Sequence, residues 1–163
     1  MKKIWAPWRM QYILQENKSG GCILCDKPAN KNDEEDYILY RGRHNFIILN
    51  AYPYTPGHLM AAPYRHVGNI TEVDAKEAKE LFELIQLCVR LLTQTIKPDG
   101  FNIGMNLGKV AGAGLENHIH VHIVPRWNGD HNYMSVVADT RVLSEGLATT
   151  YSKLREGLSR MSA

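Results

Sequence analysis

The feature that most constrains this chain is a run in which histidines alternate with branched aliphatic residues. It reads Asn117-His118-Ile119-His120-Val121-His122-Ile123-Val124-Pro125-Arg126. A period of two is typical of a β-strand, so the imidazoles are expected on one face and the aliphatic side chains on the other. Imidazole ionises near neutral pH, and a face that carries three of them indicates proton, phosphate or metal chemistry.

The spacing of the three imidazoles separates two interpretations. Same-face neighbours on a strand lie about 6.6 Å apart, which places His118 and His122 about 13 Å apart. Because metal–nitrogen bonds are about 2 Å long, a regular strand cannot bring all three histidines to one ion. The alternative is a pocket in which the middle residue, His120, does the chemistry while its neighbours orient it.

A glycine-rich loop precedes the histidine run and reads Asn106-Leu107-Gly108-Lys109-Val110-Ala111-Gly112-Ala113-Gly114. Glycine allows backbone N–H groups to approach a ligand closely, and such donors suit anionic oxygens. Taken alone, a glycine-rich loop is best interpreted as a connection between two strands without a binding role. Because it lies only a few residues before the histidines, it predicts a phosphate cradle beside a nucleophile.

Length and charge exclude several classes of protein. The 163 residues fit one domain spanning 1–163, with an N-terminal arm at 1–21, a core at 22–130 and a C-terminal extension with a helix at 131–163. A formal net charge of +2 is too small to indicate nucleic acid as a partner. No apolar stretch is long enough for a signal peptide or a membrane span, and three cysteines argue against a disulfide framework. We therefore expect a cytoplasmic protein.

Hydrophobic periodicity predicts an α+β fold with a largely antiparallel five-stranded sheet, one long helix and one C-terminal helix. The long helix is expected over 72–96, with Thr71 and Asp74 as a capping box and Cys88 on its buried face. The last helix is expected near 144–160. The strands are predicted at Tyr37–Tyr40, Asn45–Asn50, His58–Ala62, Phe101–Leu107 and the histidine run.

A pair of cysteines, Cys22 and Cys25, occupies a predicted loop near the N-terminus. Three interpretations remain open: a redox pair, half of a zinc site, or two unrelated core thiols. The surrounding sequence lacks a βαβ pattern, which weakens the redox interpretation. A tetrahedral zinc ion would need two further ligands.

The histidine run resembles the motif of the histidine-triad superfamily, His-φ-His-φ-His-φ-φ with φ apolar, and matches it without a gap. The similarity extends from about Cys22 to Asp130. Two segments resemble the family's Pro-Gly-His and Arg-His segments: Thr55-Pro56-Gly57-His58-Leu59 and Tyr64-Arg65-His66-Val67, respectively. Two more resemble the branch of diadenosine-tetraphosphate phosphorylases and fragile-histidine-triad-like hydrolases: Trp5-Ala6-Pro7-Trp8-Arg9-Met10 and Pro125-Arg126-Trp127-Asn128-Gly129-Asp130. The resemblance implies a HIT-like fold and a homodimer.

The resemblance also implies roles for individual residues. His120 would attack the α-phosphorus of a nucleotide and form a nucleotidyl-histidine intermediate. His122 and His58 would bind phosphate oxygens or relay protons, and His118 would set the tautomer of the group or serve a metal. The implied substrate contacts are Asn50 to the ribose, Asn106 to the α-phosphate, and Gly112 and Gly114 through backbone donors.

One departure from the family pattern concerns the leaving group. Many members carry a Ser or Gln between the glycine of the loop and the triad. This chain has Ala113-Gly114-Leu115-Glu116-Asn117 there instead. Protonation of the leaving group by a side chain at that place is therefore not expected.

Some bacterial histidine-triad proteins, which this chain resembles, bind zinc through a cysteine pair. The implied ligands here are Cys22, Cys25, His66 and His118, with His44 as a substitute. Four protein ligands leave no open position, so the zinc would be structural. No organic cofactor is expected, and Mg²⁺ would arrive with the substrate.

The leading functional hypothesis is a nucleotidyl hydrolase or transferase that cleaves dinucleoside polyphosphates such as diadenosine tetraphosphate, with adenine nucleotides as ligands. Hydrolase and phosphorylase share the first half-reaction, so the triad does not distinguish them. The alternatives are an adenosine phosphoramidase-type hydrolase, a nucleotide-binding sensor with weak turnover, and a metal-hydroxide hydrolase.

Overall fold

Five antiparallel strands form one sheet, and the histidine run leads into an internal strand of it. The computed structural model describes residues 21–130 and 145–161, so residues 1–20 of the predicted arm, the segment 131–144 and residues 162–163 lie outside the described residues. The strands are β1 (Ile38–Arg41), β2 (Asn45–Leu49), β3 (Leu59–Pro63), β4 (Gly100–Gly104) and β5 (Val121–Arg126). Their order in the sheet is β1-β2-β3-β5-β4, so β5 has a neighbour on each side.

Three α-helices accompany the sheet in the described part of the chain: α1 (Ile23–Asn30), α2 (Ala75–Ile96) and α3 (Leu147–Met161). Two 3₁₀ turns, Ile70–Glu72 and Lys109–Ala111, lie in the connections. The predicted α+β class, the five strands, the long helix and the C-terminal helix are confirmed. Among the described residues, no helix combines the length and apolarity that crossing a bilayer requires.

The two faces of the sheet pack against different helices. The core on one face joins α2 and α3 to strand residues that include Leu59, Ala61, Val121 and Ile123. The opposite face carries Met60 and other apolar strand residues together with Leu24 of α1. Because Met60 pairs with His122 in the register of β3 and β5, His122 lies on the α1 face. The sheet therefore separates the large core from the histidines.

The long helix begins later than predicted. Its N-cap is Asp74, whose side chain accepts the backbone N–H groups of Lys76 and Glu77, while the Glu77 carboxylate accepts the Asp74 N–H. The capping box is thus Asp74 with Glu77, and not Thr71 with Asp74. Thr71 instead donates its backbone N–H to the side chain of Asn69 at the start of a 3₁₀ turn.

Two local predictions about the site segments were wrong. The cysteine pair is not in a loop: Cys22 is the N-cap of α1 and Cys25 lies in its first turn. The ladder of β5 begins only at Val121, so His118 and His120 precede the strand. The segment before the strand is held by the Ile119 N–H, which donates to the Val67 carbonyl at 2.8 Å. Cys88 lies on α2 and is fully buried in the core, as predicted.

Candidate functional site

Three histidines with adjacent rings form a group on the α1 face of the sheet. The rings of His120 and His122 have centroids 4.8 Å apart and are nearly perpendicular, and those of His58 and His122 are 5.1 Å apart. His58 is fully buried and His120 is 6% exposed. The sequence-predicted catalytic residues His58, His120 and His122 are therefore brought together, although His58 is 64 residues from His122 in the chain.

The Nδ1 atom of His120 lies 2.9 Å from the main-chain carbonyl oxygen of His118. A carbonyl only accepts, so Nδ1 carries the proton and Nε2 keeps its lone pair. Burial lowers the pKa of His120, while the hydrogen bond to the carbonyl partly opposes that effect. A neutral imidazole with a directed lone pair is suited to nucleophilic attack.

His58 and His122 are joined by a hydrogen bond of 2.9 Å between Nε2 of His58 and Nδ1 of His122. Burial, followed by the charges of His122 and His120, lowers the pKa of His58 to about 3. Burial and the charge of His120 lower the pKa of His122 to about 4. Both rings are therefore neutral at physiological pH.

A tight turn places His58 directly before β3. Gly57 has a φ of +81°, a region that residues with a Cβ rarely adopt. A Cβ at Gly57 would lie 2.6 Å from Cδ1 of Ile96 and 3.1 Å from Cδ2 of Leu92, so α2 presses against this turn. The Pro-Gly-His segment thus fixes the imidazole of His58 relative to the long helix.

The predicted substrate contacts divide into two groups. Asn50 lies in the histidine group, with its Nδ2 atom 3.3 Å from Nδ1 of His58. Asn106 lies in the glycine-rich loop, where its Nδ2 donates to the Gly112 carbonyl at 3.3 Å. Gly112, with a φ of +90°, and Gly114 are both exposed, but the Gly112 N–H donates to the Lys109 carbonyl at 3.0 Å within the loop. The hydrogen bond from Asn106 stabilises the conformation of the glycine-rich loop.

The four predicted metal ligands converge at one point. One ligand atom from each of Cys22, Cys25, His66 and His118 lies within 4.8 Å of the other three. Nδ1 of His118 is 3.2 Å from the Cys22 sulfur and 3.4 Å from the Cys25 sulfur, and Nδ1 of His66 is 3.3 Å from the Cys25 sulfur. His44, the substitute candidate, is not a member of this cluster.

The donor set fits a tetrahedral zinc ion. Ligand atoms around such an ion lie about 3.5 Å apart, given bonds of about 2.0–2.3 Å. Nε2 of His118 is 2.8 Å from the Pro63 carbonyl and must donate its proton there, which turns the Nδ1 lone pair toward the cysteines. Burial, the Cys22 thiol and the charge of Asp26 raise the pKa of Cys25 to about 11. A bound cation would favour the thiolate form of Cys25, which burial and these neighbouring groups disfavour.

Sequence reasoning missed two backbone contributions to the site. The Tyr54 N–H donates to Nδ1 of His58 at 3.1 Å, and the Tyr54 ring lies over His58 with centroids 4.9 Å apart. The Pro63 carbonyl, at the end of β3, orients His118. Backbone N–H and C=O groups are common to nearly all residue types, so the sequence does not indicate which of them contact the site. The Pro-Gly turn before His58 was the clue that a constrained backbone approaches this ring.

Comparisons with known proteins agree with this geometry. A model of the HIT domain matches residues 31–129. AP-4-A phosphorylase of Mycobacterium tuberculosis is 36% identical over 157 residues, which is 92% of this chain and 80% of that protein. Bis(5'-adenosyl)-triphosphatase of Saccharomyces cerevisiae is 29% identical over 93 residues, which is 56% of this chain and 45% of that protein.

Solved structures show the same fold. A Zn-bound histidine triad family protein from Mycobacterium smegmatis superposes with a TM-score of 0.71 at 24% identity, over 88% of this chain and 96% of that chain. A hypothetical histidine triad nucleotide-binding protein from Sulfolobus tokodaii gives a TM-score of 0.70 at 27% identity, over 86% and 94% of the two chains. With its sheet, its histidine group and the matched domain, the chain belongs to the HIT domain family.

Proposed function

We propose that this enzyme cleaves dinucleoside polyphosphates of the diadenosine tetraphosphate type at the α-phosphate, through a nucleotidyl intermediate on His120. The observation that carries the proposal is the fixed tautomer of His120. Its Nδ1 proton is donated to the His118 carbonyl, which leaves Nε2 as a buried nucleophile. The histidine-triad resemblance and the relatives named for diadenosine polyphosphate chemistry supply the substrate class.

In the first half-reaction, Nε2 of His120 forms a bond to the α-phosphorus while the bond from that phosphorus to the bridging oxygen breaks. From diadenosine tetraphosphate, ATP leaves. The departing oxygen becomes a terminal phosphate oxygen, whose second pKa is about 6, so it leaves as an anion without a proton from the protein. The absence of a Ser or Gln from the sequence 113–117 is therefore compatible with a polyphosphate leaving group.

In the second half-reaction, an oxygen of inorganic phosphate or of water attacks the adenylate and the P–N bond breaks. His120 returns to its neutral form with the proton still on Nδ1. The M. tuberculosis phosphorylase aligns with 92% of this chain and the yeast triphosphatase with 56%. We therefore favour phosphate as the acceptor, which converts the adenylate to ADP.

The other predicted residues support this reaction in our proposal. His122, backed by His58, faces the phosphate oxygens, and Gly114 offers a backbone N–H group from a loop held by Asn106, whereas the Gly112 N–H is bonded to the Lys109 carbonyl. Asn50 is placed near the ribose by the family resemblance. An Mg²⁺ ion that accompanies the polyphosphate would belong to the substrate.

We further propose a structural zinc ion at Cys22, Cys25, His66 and His118. Zinc bound there would tie α1 to the sheet, and the residues supply all four ligands. The chain would act as one domain over 1–163, as a homodimer in the cytoplasm.

The test is incubation of the purified protein with diadenosine tetraphosphate, with and without phosphate. A strict requirement for phosphate, with ADP and ATP as products, supports the phosphorylase. AMP and ATP formed without phosphate would identify a hydrolase. No cleavage under either condition would overturn the proposal.

The intermediate has its own test in His120→Asn. We expect this variant to bind nucleotide without turnover, and intact-protein mass spectrometry of the wild type to show an adenylate on His120. His44→Asn, a histidine outside both clusters, is the matched control and should remain active. Retained activity in His120→Asn, or an adduct on another residue, would move the nucleophile elsewhere.

A further inference from the structure

An open cleft of about 680 Å³ lies between the glycine-rich loop and the connection from β3 to α2. Its lining comes from the segment 66–72 on one side and from residues 107–108 and 116–117 on the other. Pockets that bind small molecules have volumes of about 300–1,000 Å³, so the cleft has the size of a ligand site. The reaction proposed at His120 gives it no role.

The lining of the cleft is held in place by the protein itself. Gly68 packs so closely on Asn117 that a Cβ at Gly68 would lie 3.1 Å from the Asn117 Cα atom. Arg65 donates from Nη2 to the Glu72 carbonyl at 2.6 Å and to the Glu77 carboxylate of α2 at 2.7 Å. One side of the cleft is therefore anchored to the long helix, and the other side is packed against it at Gly68.

The cleft adjoins the proposed path of the phosphates. The Ala113 N–H donates to the Gly108 carbonyl at 3.3 Å, so the end of the loop that would face the phosphates contacts the lining of the cleft. Asn117 precedes His120 by three residues, which limits the separation of their Cα atoms to about 11 Å. A polyphosphate that starts at His120 and passes Gly114 therefore has the cleft within its reach.

The side chains of the lining suit an uncharged polar ligand. The exposed carboxylates of Glu72 and Glu116 accept hydrogen bonds and repel phosphate, and in the described part of the chain neither belongs to a group of three possible metal ligands. The Oδ1 atom of Asn69 accepts the backbone N–H and the hydroxyl of Thr71 at 3.0 and 2.9 Å, which leaves Nδ2 as a donor. Leu107 adds an exposed apolar surface.

We propose that this cleft binds the second nucleoside of a dinucleoside polyphosphate, the one that leaves with the ATP product. Its ribose hydroxyls donate to Glu72 and Glu116, its base accepts from Nδ2 of Asn69, and the face of the base packs on Leu107. The two carboxylates exclude the phosphates from the cleft and so favour a substrate that ends in a nucleoside. This inference rests on the proposed function and specifies which polyphosphates the enzyme prefers.

The first test compares diadenosine tetraphosphate with adenosine 5′-tetraphosphate. Both present an adenosine and an α-phosphorus to His120, and the same kind of P–O bond breaks in each, but the second compound lacks the distal nucleoside. Because one or two hydrogen bonds and some apolar contact are lost with it, we expect kcat/KM of the wild type to be about tenfold higher for the dinucleotide. Equal values for the two substrates would overturn the role of the cleft.

Two variants assign the preference to the cleft. Glu72→Ala removes an acceptor, and Asn69→Ser removes the amide donor while its hydroxyl still accepts the Thr71 N–H. Each should reduce the preference for the dinucleotide by about three- to tenfold. Glu83→Ala is the matched control, because Glu83 is an exposed carboxylate of α2 that pairs with Lys79, and it should keep the wild-type preference.

The charge of Glu72 gives the comparison its sign. If Glu72 acted only as a negative charge near the phosphates, Glu72→Ala would raise kcat/KM for both substrates and leave their ratio unchanged. A hydrogen bond to the distal ribose predicts that the dinucleotide alone loses its advantage. An unchanged ratio in Glu72→Ala would therefore contradict the proposal.

A binding measurement separates this proposal from the proposed function. Adenosine is titrated into ¹⁵N-labelled protein that is already saturated with AMP, so that the nucleotide site at His120 is filled. We expect saturable shifts of the Gly68 and Gly108 backbone amides in the wild type and a weaker response in Glu72→Ala. Absence of these shifts in the wild type would overturn the cleft as a nucleoside site. Failure to cleave either tetraphosphate would instead overturn the proposed function, while the adenosine titration would still decide whether the cleft binds a nucleoside.

Discussion

The pair formed by the fully buried His58 and the half-buried His122 predicts that the stability of this protein falls steeply in mild acid. In the folded state their pKa values are lowered to about 3 and about 4, whereas an exposed histidine titrates near 6.5. Above about pH 6.5 both states of the protein hold these rings neutral. Below that pH the two rings bind protons in the unfolded chain but not in the folded chain. The free energy of unfolding therefore decreases as the pH falls toward about 4.

The size of the loss follows from proton linkage. Each histidine that is charged only in the unfolded state costs about 1.4 kcal/mol of unfolding free energy per pH unit. Between about pH 6.5 and pH 5 each ring therefore contributes roughly 2 kcal/mol, and the pair roughly 4 kcal/mol. A domain of this kind has about 5–15 kcal/mol in total, so the effect is large.

The assay is urea unfolding of the wild type and of His58→Asn at several pH values between 7.5 and 5. Subtraction of the two curves cancels the contribution of the cysteine–histidine cluster, which both proteins share. The slope of stability against pH should be smaller in the variant by about one proton. Ile123→Val, which opens a small cavity in the core without removing a titrating group, should lower stability by about 1 kcal/mol and keep the wild-type slope. Parallel curves for His58→Asn and the wild type would refute the reasoning.

Three further predictions concern stability and the metal. Glu80→Ala removes the acceptor of four N–H groups, three from the backbone of residues 43–45 and one from the Asn45 side chain, and should lower the free energy of unfolding by about 3 kcal/mol in urea titrations. Gly57→Ala combines a positive φ with a contact of 2.6 Å to Ile96, and a loss of about 2 kcal/mol is expected by the same method. Protein purified without chelator should contain about one zinc ion per chain by metal analysis, and Cys25→Ser should lose both the zinc and several degrees of Tm. Less than about 0.2 zinc per chain in the wild type would contradict the site.

The periodic parts of the fold could be predicted from the sequence. Alternation at Val121 and Ile123 and helical spacing between Leu81 and Leu92 each predict which side chains face the core, and these side chains lie in the core as expected. The short helix α1 was missed because it has eight residues, contains Pro28 and has no side-chain cap. Its stability comes from contacts that are remote in sequence, and a local pattern cannot report them.

The candidate site was predictable as a set of residues and not as a geometry. His118 and Cys22 are 96 positions apart, and only the family resemblance joined them. The argument against one ion shared by all three histidines assumed a regular strand, whereas the ladder starts at Val121 and His118 lies before it. The backbone donors and acceptors that set the tautomers, such as the Tyr54 N–H, are present in every residue and give no sequence signal.

His118 joins two sites through one residue: its ring belongs to the cysteine cluster, and its carbonyl accepts the Nδ1 proton of His120, the proposed nucleophile. The His120 imidazole is therefore oriented by a residue whose own anchorage depends on α1 being seated against the sheet. A molecule in which α1 had not docked would keep the larger core, because that core lies on the other face with α2 and α3. Seating α1, whose Leu24 belongs to the second core, would then be a separate requirement for an active site, beyond formation of the larger core.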